Sequence, residues 1–348
     1  VAQTRRKILL NFAVVGSGWI TDEYIKGAVD TGLWRLSAVY SRTEERGRAY
    51  AEKHAAADVF TNLHEMARSD TFDAVYIASP NVLHYEQSRL FLEHKKHVVC
   101  EKPLSAQGEK AAELFRLAEE NGVVFMEAIM YLHLPQRKIL KDALKQIGAL
   151  SMVKIDFCQR SSKLDAYLKG ELPNIFNPAM EAGALMDLGV YCIYPVLHLF
   201  GLPQSFTVAA SILPTGADSA GAITMRYPDK LVNLVYSKTG QAIAGTEFQG
   251  NGGTVYVDSI SRLADISLCL TGGKTEALYG DDEKYILMGH EARNFHRFIT
   301  EPEQSRAEYA RCRELAVSVS HFMEDVRMKA GIRFASDDRT AAAHNLGF

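Results

Sequence analysis

Ile8-Leu9-Leu10-Asn11-Phe12-Ala13-Val14-Val15-Gly16-Ser17-Gly18-Trp19-Ile20-Thr21 is the stretch whose reading decides the fold. From Ile8 to Val15 it is mostly apolar, with β-branched residues and no polar alternation, as in a strand covered on both faces. Gly16 and Gly18 stop that run, and a helical pattern follows from Ile20 to Thr31. Working outward, the first 127 residues repeat this alternation. Short apolar runs stand at Leu36 to Tyr40, Ala74 to Ala78, His97 to Cys100 and Val123 to Met126. Helical stretches lie at Glu44 to His54, Tyr85 to Glu93 and Gln107 to Asn121. Buried strands alternating with helices predict an α/β, doubly wound parallel sheet.

The pattern changes after Glu127. A helix is expected over Gln136 to Gln146, a strand over Met152 to Phe157, and a polar, aromatic loop from Arg160 to Pro178. Ala184 to Phe200 reads as a helix. From Phe206 to Tyr279 strand runs follow one another with Gly, Pro and Asp turns and no room for crossover helices. That predicts a large, mostly antiparallel open sheet in an α+β domain. Helices close the pattern at Glu291 to Thr300 and Ala307 to Lys329. The expected division is residues 7–127, residues 128–334, and a loose, polar tail over residues 335–348.

The 348 residues suit two domains, and the composition, 47 % apolar and 23 % charged, is that of a globular protein. A net charge of −3 without a basic stripe argues against nucleic acid. Cys100, Cys158, Cys192, Cys269 and Cys312 form no CxxC pair, which argues against a disulfide framework or zinc site and suits a reducing cytoplasm. The histidines show no metal spacing, and no metal is expected. No apolar run reaches the roughly 18 residues of a membrane span, and Val1 to Lys7 lacks signal-peptide features.

A glycine turn between a buried strand and a helix is the Rossmann position for a dinucleotide. Gly16 permits the tight turn, Gly18 lets the backbone approach a pyrophosphate, and Trp19 and Ile20 open a helix whose N-terminus faces the phosphate charge. Thr21 stands where a third glycine or alanine is usual, so a plain glycine turn is the alternative. The second strand ends in Tyr40-Ser41-Arg42-Thr43, with no acidic residue for a ribose hydroxyl. Ser41 as donor and Arg42 as charge partner suit the 2′-phosphate of NADP(H), with NAD(H) as second choice and a solvated surface arginine as the bland reading.

Two further strand ends carry Ser79-Pro80-Asn81, with His84 just beyond, and Glu101-Lys102-Pro103. Such carboxyl-end loops line the ligand crevice of a doubly wound sheet, although an isolated Glu-Lys pair there is more often a surface ion pair. Together with Gly16-x-Gly18 and Asp187-Leu188-Gly189-Val190-Tyr191, this set resembles the Gfo/Idh/MocA family, the glucose-fructose oxidoreductase and inositol dehydrogenase group, from about Lys7 to Lys329. The resemblance implies that Lys102 lies by the substrate and the nicotinamide, and that Glu101 and Asn81 lie near the nicotinamide ribose. Tyr191 stands where many members place a proton-carrying histidine, so the chain looks most like the dihydrodiol dehydrogenase branch. It departs in Ala182, where a glycine is usual, and in Leu132, which replaces a frequent arginine of the substrate surroundings.

Elementary chemistry supports the same set. Asp187 and Tyr191 are four apart and share a face if helical. Carbonyl reduction needs a proton for the developing alkoxide, and a nearby ammonium would lower the tyrosine pKa from about 10 while holding the oxyanion. Lys102 is the candidate cation; Asp187 would orient it or bind a substrate hydroxyl. The alternative for Tyr191 is a core tyrosine satisfied locally. Arg160 is a further candidate for substrate, although long polar loops are usually plain connections. The expected protein is thus an NADP(H)-dependent oxidoreductase for a sugar, polyol, cyclic diol or dicarbonyl, forming a homodimer or homotetramer. A nucleotide-sensing regulator of the same fold is the alternative, but it needs neither Lys102 nor Tyr191.

Overall fold

The computed structural model describes residues 8–337. Its first half is β1 (Leu10–Val15), α1 (Trp19–Asp30), β2 (Trp34–Tyr40), α2 (Glu44–His54), β3 (Asp58–Phe60), α3 (Leu63–Arg68), β4 (Ala74–Ile77), α4 (His84–Glu93), β5 (His97–Glu101), α5 (Gly108–Glu120) and β6 (Phe125–Ala128). The six strands form one parallel sheet in the order β3-β2-β1-β4-β5-β6. The order reverses between β1 and β4, which opens a crevice at their carboxyl ends. Strand alternation feeds two cores. Phe12, Val14 and Tyr76 pack on one face, and Ala13, Val15, Val75 and Ile77 on the other. β3 and α3 were not expected. β3 has three residues, too short for a periodic run, and α3 is set by Asn62, whose side chain accepts from the amides of His64 at 2.8 Å and Glu65 at 3.1 Å.

The second half is α6 (Gln136–Leu144), β7 (Leu150–Cys158), α7 (Leu164–Leu168), α8 (Val190–Phe200), β8 (Ser205–Ile212), β9 (Asp218–Arg226), β10 (Leu231–Ser237), β11 (Thr246–Gly250), β12 (Gly253–Ser259), β13 (Ala264–Leu270), β14 (Thr275–Tyr279), α9 (Lys284–Thr300) and α10 (Pro302–Lys329). Its eight strands run in the order β14-β13-β12-β11-β7-β10-β9-β8. All pairs are antiparallel except β7 with β10. The fold is therefore α/β with a second α+β sheet, as expected. The expected helix over Ala184 to Phe200 begins as a single π-helical turn, Leu185–Gly189, before α8. The Arg160 to Pro178 loop contains α7 and a further turn at Asn174–Phe176. Pro178–Phe200 is apolar and long enough by composition to cross a bilayer, but it is mostly buried inside the protein as a core element.

Val232, Leu234 and Tyr236 of β10 and Ile223 and Met225 of β9 are buried in the core. The opposite face of this sheet is open: Leu231 and Val235 remain 42 % and 41 % exposed. The closing helices do not cover it. α9 starts earlier than expected and returns to the first half, packing on α1, while α10 packs on α5 and α8. Gly27 of α1 makes the α1–α9 contact possible, because a Cβ there would stand 2.3 Å from the Tyr285 carbonyl oxygen. Trp34 donates from its indole nitrogen to the Ala292 carbonyl at 2.9 Å and stacks on Phe295. The expected loose tail begins with an anchored turn, Ala335–Asp337, in which Asp337 pairs with the fully buried Arg327 at 2.6 Å. Its remainder, residues 338–348, and the opening Val1 to Lys7 lie outside the described residues.

Candidate active site

A cleft of about 290 Å³ opens at the carboxyl ends of β1, β4 and β5. Trp19, Ile20, Ser79, Asn81, His84, Glu101 and Lys102 line it from the first half. Phe157, Gln159, Asp187, Leu188, Tyr191, Ser261 and Lys284 line it from the second. The glycine turn leads into its Trp19 and Ile20 wall. Gly16 has φ +115°, and a Cβ there would meet the Ala78 carbonyl oxygen at 2.5 Å, so only glycine lets β1 and β4 end side by side. Gly18 is the N-cap of α1, with open space where its Cβ would be. The first amides of α1 lack partners within the helix, so this corner fits a diphosphate. Thr21 is fully buried and fits where a third small residue is usual. Ser41 and Arg42 lie at the end of β2, with Arg42 exposed. Beside them a separate hollow of about 310 Å³ is lined by Tyr40, Thr61, Leu63, Gln87 and Leu90.

At the other end Lys102 donates to the Asp187 carboxylate at 2.8 Å and to its backbone carbonyl at 2.9 Å. Lys238, which follows β10, closes on the other carboxylate oxygen, so one acid is held between two ammoniums. Each carboxylate oxygen of Asp187 thus meets one lysine. Burial opposes its charge, yet Lys102 and Lys238 hold its pKa well below the ordinary carboxylate value. Burial likewise opposes the charge on Lys102, but Asp187, Tyr191 and Glu101 hold it above the ordinary lysine value. The Lys102 ammonium lies 4.7 Å from the Tyr191 ring centroid. The expectation of a lowered Tyr191 pKa is corrected here. Burial raises it, Lys102 lowers it, and Glu101, Asp187 and Glu291 raise it again, with a net value above that of free tyrosine.

Several predicted residues act on the frame of the cleft. His84 is fully buried between the Ser79 and Pro103 carbonyls, at 2.8 and 2.9 Å from its two ring nitrogens; burial favours the neutral ring, which donates to one of them and packs between the loops after β4 and β5. Ser79 turns its hydroxyl to Gln87 at 2.7 Å, and Asn81 donates to the Glu181 carbonyl at 2.9 Å. Glu101 accepts from the Tyr76 hydroxyl at 2.6 Å, and Tyr76 stacks on Tyr24 of α1. Arg160 is not in the cleft; it pairs with Asp165 at 2.5 Å on the surface, and its neighbour Gln159 lines the wall instead. Lys238 and Lys284 were missed. Each is a lone lysine, and nothing local marks Lys238 as the partner of Asp187 or Lys284 as lining the cleft.

Two family models match the chain: the Gfo/Idh/MocA oxidoreductase family with an NAD-binding Rossmann fold over residues 10–129, and the Gfo/Idh/MocA C-terminal domain over residues 140–256. The chain is 39 % identical over 329 residues to the NADP(+)-dependent scyllo-inositol 2-dehydrogenase of Bacillus subtilis (strain 168), covering 94 % of this chain and 99 % of that one. It is 24 % identical over 345 residues to the trans-1,2-dihydrobenzene-1,2-diol dehydrogenase of Mus musculus, covering 95 % and 99 %. A 3-ketoreductase from Actinomadura kijaniata, solved with NADP and TDP-benzene, shares the fold at a TM-score of 0.80 and 22 % identity, over 92 % and 98 % of the two chains. With its parallel sheet, open glycine turn and full-length relatives, the chain belongs to the Gfo/Idh/MocA family of oxidoreductases.

Proposed function

We propose that this oxidoreductase moves a hydride between NADP(H) and an alcohol or carbonyl carbon of a cyclic polyol, with inositols as the first candidates. The observation that carries the reading is the Lys102–Asp187 pair beside Tyr191, set in a cleft above the glycine turn. The nicotinamide supplies or takes the hydride when bound. Gly16, Gly18, Trp19 and Ile20 would seat its diphosphate, and Ser41 and Arg42 the 2′-phosphate. The neighbouring hollow by Tyr40 and Leu90 would take the base. Lys102 orients the reacting oxygen and stabilises its negative charge as an alkoxide develops. Tyr191 gives or takes the proton at its Oη, and Asp187 keeps Lys102 charged and pointed into the cleft. The NADP(+)-dependent relative supports both the cofactor and the substrate class.

A homodimer is part of the proposal. The open face of the second sheet, with Leu231 and Val235 exposed, would be covered by a second copy in an isologous contact. The free cysteines suit a reducing, cytoplasmic setting. One experiment tests the reading: turnover of inositols, aldoses, cyclic diols and dicarbonyls with NADP⁺/NADPH and NAD⁺/NADH, with the mass of the same sample measured at micromolar concentration. Oxidation of an inositol with NADP⁺ by a dimer is expected. Tight dinucleotide binding without turnover of any substrate would favour the nucleotide-sensing reading, and a monomeric mass would remove the interface.

A further inference from the structure

Lys284 takes no part in the chemistry of Lys102, Asp187 and Tyr191, yet it lines the same cleft. It opens α9. Its ammonium stands 5.9 Å from the centroid of the Trp19 ring, and that ring, 68 % exposed, lies at the first helical residue after the glycine turn. Glu101 and Glu291 attract Lys284 through space, but among the described residues no acceptor closes on it as a hydrogen bond or ion pair. Burial pushes its pKa below the ordinary lysine value, with Lys102 and Arg262 adding repulsion. A half-buried ammonium that lines the cleft with no closed partner among the described residues is a ready contact for an anionic ligand.

The backbone holds this side chain in place. α9 lies directly on α1 through the close approach at Gly27, and the Trp34 bond to Ala292 fixes its middle. Lys284 is therefore carried by the C-terminal half of the sequence but seated rigidly on the dinucleotide-binding half. The glycine turn and the N-terminus of α1 form an anion seat from one side. Lys284 faces that seat from the other.

We propose that Lys284 clamps the diphosphate bridge of the dinucleotide, on its nicotinamide side, against the Gly16–Trp19 turn. The assignment rests on the cleft holding a dinucleotide, as proposed above. It separates two cationic contacts: Arg42 addresses the phosphate that only NADP(H) carries, whereas Lys284 addresses the diphosphate common to both cofactors.

The test is titration of wild type, Lys284→Met and Lys284→Arg with NADPH and NADH by fluorescence, at low and high salt. Lys284→Met should weaken both cofactors alike, by roughly 10-fold, and flatten the salt dependence. Lys284→Arg should keep most of the affinity. The fragment 2′,5′-ADP, which lacks the nicotinamide-side phosphate, should bind wild type and Lys284→Met equally. Ligand-free Lys284→Met should melt no lower than wild type, because no closed hydrogen bond or ion pair among the described residues is lost. Unchanged affinity for both dinucleotides overturns the assignment. So does a loss confined to NADPH, which moves Lys284 to the 2′-phosphate, or a rise in substrate KM alone, which moves it to the substrate. If wild type binds neither dinucleotide, the cofactor reading fails first and this inference falls with it.

Discussion

The cleft has two ends built in different ways. The end proposed for the diphosphate is a few consecutive residues, Gly16 to Ile20, whose backbone would carry the contacts. At the end proposed for the reaction, Lys102, Asp187, Tyr191 and Lys238 come from separate segments, and their side chains would carry the chemistry. The first end rests mainly on neighbouring residues of β1 and α1, with the end of β4 beside Gly16 and Lys284 reaching it from α9. The second exists only when the two halves dock. Cofactor binding and turnover should accordingly be separable by mutation, with side-chain changes at the reaction end sparing the dinucleotide.

The largest expected effect tests that separation. Lys102→Met should abolish turnover while NADPH still binds, and Tyr191→Phe should lower kcat by roughly 10²–10⁴-fold, the range for a lost general acid. If Tyr191 only binds substrate, KM rises and kcat is little changed. With the Tyr191 pKa raised above its ordinary value, its basic form grows only in the alkaline range. Alcohol oxidation should therefore keep rising with pH beyond neutrality, and Tyr191→Phe should lose that rise. A Phe variant with wild-type kcat and pH profile would take Tyr191 out of the mechanism. Loss of NADPH affinity in Lys102→Met would show that the two ends are one unit.

A smaller effect sharpens the description of the diphosphate end. Arg42→Ala should weaken NADPH by roughly 10-fold, the worth of one charge-assisted contact, and leave NADH nearly unchanged. Equal losses for both cofactors would remove Arg42 from the 2′-phosphate.

The smallest effect concerns the acidic wall behind the reaction end. Burial raises the Glu127 carboxyl to about 7, against the opposing bond from Tyr194, while Glu101 nearby adds to the rise. The folded state thus holds a proton that the unfolded chain, with a glutamate pKa of about 4.3, releases earlier. This contribution to stability is complete below about pH 4 and is lost as pH rises through about 7. Glu127→Gln keeps a partner for Tyr194 and should flatten the fall in Tm over that window by a few degrees. An unchanged slope would mean that Glu127 is already ionised in the folded protein.

Much of this molecule follows from local pattern. The run from Ile8 to Thr21 contains a buried strand, a turn that needs glycine and a helix start, because strand burial, positive φ and helix initiation are properties of neighbouring residues. Lys102, Asp187 and Tyr191 were legible as motifs, and the structure brings them together. What docking decided lies elsewhere. Arg160 went to a surface partner, Asp165, and Ser79 and His84 turned to hold loops. Burial reversed the expected shift on Tyr191, since desolvation depends on everything packed around the ring. Lys238, at the end of β10, meets Asp187 of the turn packed on that strand, and Lys284 reaches the cleft because Gly27 lets α9 settle on α1. Such contacts join residues far apart in the chain, where no local periodicity or turn chemistry records which charges will face each other. Only the tertiary structure fixes that, by bringing two sheets and a returning helix to one cleft.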